Sequence, residues 1–122
     1  MTNVLVVEDD KDFRESLCDS LRVRGLNVIS ASSYGDGLSK LGAYLFHLLL
    51  IDASEETAPR EDEYRLNISA CARKYYPEAV ILCITGCGSD NPSLDRTDFN
   101  NVVPKPYFVQ HTDEILREYG LV

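Results

Sequence analysis

The chain has 122 residues, 44% of them hydrophobic and 26% charged, which excludes the signature of disorder and suits one domain burying roughly two-thirds of its unfolded surface. Twenty acids against twelve Lys and Arg leave a net charge of −8, which repels polyanions and speaks against direct binding to nucleic acid or an anionic membrane surface. The longest mostly apolar stretch, Ala43 to Ile51, is about half a bilayer span, and the start lacks the basic flank of a signal peptide, so a cytoplasmic protein is expected.

In chain order, Val4 to Val7 is a continuous β-branched and apolar run that reads as a strand covered on both faces, and it ends abruptly in Glu8, Asp9 and Asp10. Asp12 and Glu15 have capping-box spacing, and Phe13, Leu17 and Leu21 recur every fourth residue up to a stop at Gly25. Asn27 to Ala31 reads as a second strand. Ser33 and Asp36 then open a second helix with Leu38, Leu41 and Leu45 on one stripe. His47 to Ile51 is a third strand ending on Asp52. A polar loop leads to a helix from about Asp62 to Tyr75, carrying Leu66, Ile68 and Cys71 and closed by Pro77. Ala79 to Ile84 is a fourth strand, Asn101 to Val103 a short fifth, and Ile115, Leu116 and Tyr119 mark a last helix.

Strands alternating with helices imply βαβ crossovers, hence an α/β fold with a doubly wound parallel sheet and helices on both faces. Ligands of such sheets sit at the carboxyl ends of the strands, where the strand order reverses. That rim collects Glu8, Asp9 and Asp10 from the first strand, Asp52 from the third, Thr85 and Gly86 from the fourth, and Lys105 after the fifth. Carboxylates crowded together raise one another's pKa unless a cation compensates them. Two or three carboxylates plus water suit a hard divalent cation such as Mg²⁺. Lys105 balances remaining negative charge, and the Thr85 hydroxyl can donate to an oxygen bound beside the metal. Asp10 alone reads as a loop acid favoured by a helix N-terminus.

The stretches "VLVVEDD", "LLLID", "ILCITG" and "VVPKP", each at the end of its own strand, resemble the receiver domain of bacterial two-component response regulators over essentially the whole chain. The resemblance implies a single receiver domain over residues 1–122, with the flavodoxin-like fold and strand order 2-1-3-4-5. It implies Asp52 as phosphoacceptor for a histidine kinase or phosphotransfer protein. Asp9 would be a direct Mg²⁺ ligand, Glu8 a ligand acting mainly through water, and the carbonyl of Ser54 a further ligand. Thr85 and Lys105 would contact phosphoryl oxygens. The family is regulatory rather than enzymatic in the ordinary sense, although it catalyses its own phosphotransfer and dephosphorylation, and it typically has a cis peptide before the residue that is Pro106 here.

Three features depart from the family. The stretch "DASEETAPREDEY" is longer and more acidic than usual, with Glu55 and Glu56 where a Met-Pro pair is typical. Val102 stands where an aromatic switch residue is usual, with Phe99 and Tyr107 out of register. Gly88 to Phe99 carries Pro92 and few large apolar residues, so a short or irregular fourth helix is expected. The chemistry therefore reads as intact and the usual readout face as altered. Two rival functions follow: an interaction domain that keeps the fold and signals without phosphate, and a small phosphatase with an aspartate nucleophile, which the late placement of Asp10 and Asp12 disfavours.

Output must pass through an unknown downstream protein or a missing effector domain, and a homodimer is open. His47 and His111 each stand alone and are not expected to bind metal. Cys18, Cys71, Cys83 and Cys87 lack a paired zinc spacing and read as buried thiols. Cys87, two positions past Thr85, raises the idea of a redox effect on phosphorylation. Tyr75, Tyr76, Tyr107 and Phe108 read as packing.

Overall fold

A computed structural model of the chain describes residues 2–52, 68–86 and 99–122. The strands are β1 (Asn3–Val7), β2 (Asn27–Ala31), β3 (Leu48–Asp52), β4 (Val80–Thr85) and β5 (Asn101–Pro104). They form one parallel sheet in the order β2-β1-β3-β4-β5, the order the sequence resemblance implies. The described helical segments are α1 (Lys11–Arg22), α2 (Tyr34–Lys40), α3 (68–75), α4 (Lys105–Gln110) and α5 (Thr112–Glu118).

Alternation within the central strands sends side chains to two cores. Leu5, Val7, Leu49, Ile51, Ile81 and Cys83 pack with Tyr34 of α2 and Ile68 and Ala72 of α3. Val4, Val6, Leu48, Leu50, Leu82 and Ile84 pack with Leu17 and Leu21 of α1, Phe108 of α4 and Ile115 and Leu116 of α5. Because both faces are covered, these strands need apolar residues at every position, which is why they read as unbroken runs.

The start of α1 corrects the sequence expectation. Asp10, still extended, is the N-cap, its side chain accepting from the Phe13 N–H at 3.2 Å. Asp12 lies inside the first turn, where its charge suits the helix dipole. Gly25 closes the helix with φ +83°, a left-handed turn that favours glycine, and its N–H donates to the Arg22 carbonyl at 2.9 Å.

Ser33 caps α2 as expected, accepting from the Asp36 N–H at 3.1 Å. The helix is shorter than its leucine stripe predicts. Leu41 leaves helical geometry at ψ 139°, Gly42 takes φ +85°, and Leu45 is 63% exposed. The cause is tertiary: the Tyr76 hydroxyl accepts from the Gly42 N–H at 2.7 Å and donates to the Tyr44 carbonyl, clamping a turn there. Gly37 lets α2 approach β1 closely, since a Cβ there would lie 2.9 Å from Val7 Cγ2.

No cis peptide bond occurs among the described residues, so the peptide before Pro106 is trans, correcting the expectation. Pro104 ends β5 as the N-cap of α4 and Pro106 lies in its first turn, where a missing N–H costs nothing. The final helical region, which the sequence shows only around Ile115, breaks at His111 (φ −125°, ψ 29°). Buried Thr112 bridges the break by donating to the Phe108 carbonyl at 2.7 Å.

The expectations for Ser54, the acidic stretch, the start of the third helix, Cys87 and the fourth helix fall outside the described residues. Cys18 and Cys71 carry free thiols, the first buried and the second half-buried. Tyr76 and Phe108 are core residues, whereas Tyr75 and Tyr107 are exposed.

Candidate functional site

Three strand ends and the turn into α4 bring the expected groups together. β1 delivers Glu8 and Asp9 just past its last residue, and β3 ends on Asp52. These three offer carboxylate oxygens within 4.8 Å of one another. Asp9 is exposed, while Glu8 and Asp52 are only 1% and 4% exposed. Thr85 ends β4 and is fully buried. Lys105 opens α4 and reaches back over the rim: its Nζ lies 2.9 Å from Glu8 Oε2 and 3.0 Å from Asp52 Oδ1.

Secondary structure explains why a charged cluster persists here. The Glu8 N–H donates to the Ala31 carbonyl at 3.0 Å, which carries the β1–β2 ladder one residue further and fixes the Glu8 backbone. Its Oε1 accepts from the Asp10 N–H at 3.1 Å, and its carbonyl accepts from Arg14 Nη1 at 2.9 Å. The strand thus passes straight into the cap of α1, and Glu8 is held through its N–H, its carbonyl and Oε1.

The electrostatics are strained. Burial, reinforced by Asp52, lifts the Glu8 carboxyl from an ordinary value near 4.5 to about 7 against the pull of Lys105. Burial also raises Asp52, with Asp9 adding repulsion and Lys105 opposing both. For Lys105, burial works against the charge, but the two carboxylates outweigh it and the ammonium is held above its usual range. Among the described residues, buried Glu8 Oε2 and Asp52 Oδ1 have no partner other than the ammonium, whose Nζ lies within ion-pair distance of each. The short distances establish attraction, and one ammonium is shared between two buried oxygens. Among the described residues, with all groups ionised, three carboxylates against one ammonium leave two negative charges in excess. An all-oxygen donor set with that excess fits a hard divalent cation.

Three neighbours of the site were not evident from the sequence. Arg14 binds the Glu8 carbonyl. The Phe13 ring lies under Lys105, with Nζ 4.8 Å from its centroid. The buried Tyr34 hydroxyl donates to the Asp52 carbonyl. Phe13 reads in sequence as one more member of the α1 apolar stripe; the available signal is its place in the first turn after the acids. His47 and His111 take no part. His47 Nδ1 accepts from the Asn3 N–H at 3.0 Å, at the opposite end of β3 from Asp52, and His111 stacks on Tyr107.

No protein-family model matches the chain, and no curated protein matches it in sequence. Its fold is that of response-regulator receiver domains. The response regulator TrrA of Thermotoga maritima, solved with Mg²⁺-BeF, has a TM-score of 0.79 at 22% identity, covering 98% of this chain and 99% of that one. TrrA in complex with the histidine kinase ThkA gives 0.74 at 21% identity, with 98% of each chain covered. A response regulator from Burkholderia pseudomallei with a phosphorylated aspartic acid, calcium ion and citrate gives 0.73 at 25% identity, covering 99% of this chain and 74% of that one. Among the described residues, no helix is long and apolar enough to cross a membrane.

Proposed function

We propose that the chain is a single cytoplasmic receiver domain that accepts a phosphoryl group on Asp52 from a histidine kinase or phosphotransfer protein, with Mg²⁺ at the site, and so controls a partner. The observation that carries this reading is the rim itself: three carboxylates within 4.8 Å of one another, one at a strand end and two just past another, with Lys105 bridging Glu8 and Asp52. The solved receivers with Mg²⁺-BeF and with a kinase support the choice of cation and donor.

Glu8, Asp9 and Asp52 would hold Mg²⁺, with the Ser54 carbonyl as a further ligand. The cation, when bound, offsets charge on the phosphoryl oxygens. An Asp52 carboxylate oxygen attacks phosphorus and forms the O–P bond as the P–N bond of the donor phosphohistidine breaks, and the electron pair returns to the imidazole. Lys105 turns from the carboxylates to a phosphoryl oxygen, and Thr85 donates its hydroxyl to another. The module is regulatory: the acyl phosphate is a signal, and its conformational consequence is the output.

Intact mass after incubation with acetyl phosphate tests this, with and without Mg²⁺, on the native chain and on Asp52→Asn. One phosphoryl adduct is expected on the native chain with Mg²⁺ and none on the variant. No adduct under any condition would move the reading to an interaction domain that signals without phosphate.

A further inference from the structure

Lys105 has two kinds of neighbour. Glu8 Oε2 and Asp52 Oδ1 attract it by charge, and both belong to the set that would ligate a divalent cation. Oxygen lone pairs given to a metal are withdrawn from the ammonium, and the metal's charge repels it. The two carboxylates therefore hold Lys105 best when no cation is present. The Phe13 ring is different. Its face lies under Nζ at 4.8 Å, and it cannot ligate a metal.

The ring is also well anchored. Phe13 sits in the first turn of α1, its N–H fixed by the Asp10 cap and its side chain half-buried against the core layer of Leu17 and Leu21. The Lys105 side chain is only 20% exposed, so water competes weakly for the ammonium and the attraction of a ring face counts for more than at an open surface.

We propose that Phe13 is a positioning residue for Lys105. Its ring holds the ammonium at the rim by a cation–π contact once the carboxylates turn to a cation, so that Lys105 meets incoming phosphoryl oxygens already oriented. This role rests on the phosphoacceptor reading of Asp52. An aliphatic residue would fill the same space in the core and offer the ammonium nothing, which makes the two roles of Phe13 separable.

The test is a double-mutant cycle on the full chain: native, Phe13→Leu, Lys105→Gln and the double variant, with Phe13→Tyr as the conservative rescue. At saturating Mg²⁺ with acetyl phosphate, Phe13→Leu should slow labelling of Asp52 about three- to tenfold, the worth of a partly desolvated cation–π contact. Phe13→Tyr should label at the native rate, and Phe13→Leu should change nothing further in the Lys105→Gln background. Without metal, Phe13→Leu should lower the melting temperature more when Lys105 is present than when it is Gln. Equal slowing in both lysine backgrounds would reduce Phe13 to packing, and an unslowed Phe13→Leu would remove the positioning role. A native chain that takes no phosphoryl group would overturn the phosphoacceptor reading and this role with it. The metal-free melting cycle would even then decide whether Phe13 grips Lys105.

Discussion

At the carboxyl end of the sheet, Glu8 and Asp52 are buried acids that share one ammonium; at the amino end, a cavity of about 450 Å³ is lined by Phe46, His47, Tyr76, Tyr119 and Leu121. The polar groups of the amino end have good partners. The Asn3 N–H donates to His47 Nδ1 at 3.0 Å, the His47 N–H to the Asn3 carbonyl at 2.9 Å, and Asn3 Nδ2 to the Leu45 carbonyl at 2.8 Å. At the carboxyl end, among the described residues, Glu8 Oε2 and Asp52 Oδ1 have only the shared Lys105 ammonium as partner. One end stabilises the fold, and the other holds charge in a place where it costs free energy, as a site awaiting a cation does.

The largest effect should come from the end that stabilises. Phe46 is fully buried and packs edge-on against Tyr76 with centroids 5.9 Å apart. Phe46→Ala removes that contact and enlarges an existing cavity, so it should destabilise the chain by about 3–5 kcal/mol. Urea unfolding measures the loss. Mg²⁺-dependent labelling of the protein that remains folded should be unchanged, and a parallel loss of labelling would show that the two ends are coupled.

The charged end should reveal itself through pH. The Glu8 carboxyl titrates near 7 in the folded metal-free chain and near its ordinary value when unfolded. Between those values the folded state binds more protons than the unfolded state. Stability therefore falls as pH rises from about 4.5 to 7, and the raised Asp52 acts in the same direction. Asp36 and Asp113, held low by Lys40 and Arg24, contribute stability that is lost only as pH falls through their depressed values, well below this window. Melting temperature against pH should thus decline toward neutrality without metal, and Mg²⁺ should reverse much of the decline by binding the ionised carboxylates. A flat metal-free profile across this window would remove the strain from Glu8.

The carboxyl end was legible from sequence because its chemistry is carried by residue type at strand ends: Glu8, Asp9, Asp52 and Lys105 converge where the alternation of strands and helices requires. The amino end was hidden. Nothing local in the sequence says that the Tyr76 hydroxyl will clamp the backbone at Gly42 and Tyr44, so the leucine stripe extends α2 through Leu45, past its observed end at Lys40. The same limit applies to the brace of the site. Phe13 and Tyr34 look like ordinary apolar positions, and only the packing of helices onto the rim turns one toward Lys105 and the other toward the Asp52 carbonyl. Capping shows the intermediate case: the spacing of Ser33 to Asp36 marks the α2 cap, whereas Asp10 and Asp12 both fit the residue preferences of an N-cap and spacing alone favours the wrong one.

The smallest effect separates strain from stabilisation at Asp52 itself. Asn has nearly the same shape as Asp but no charge, so Asp52→Asn removes a buried carboxylate that burial disfavours and leaves Glu8 and Lys105 as a one-to-one pair. If desolvation outweighs the attraction between Lys105 and Asp52, the metal-free variant should melt higher than the native chain, by on the order of 1 kcal/mol in stability. The gain should vanish when Mg²⁺ is added, because only the native site can use all three carboxylates to bind it. A lower melting temperature would mean that the Lys105–Asp52 pair is a net stabilising contact. The contrast between the two ends of the sheet would then lie in their chemistry alone and not in where the fold stores its cost.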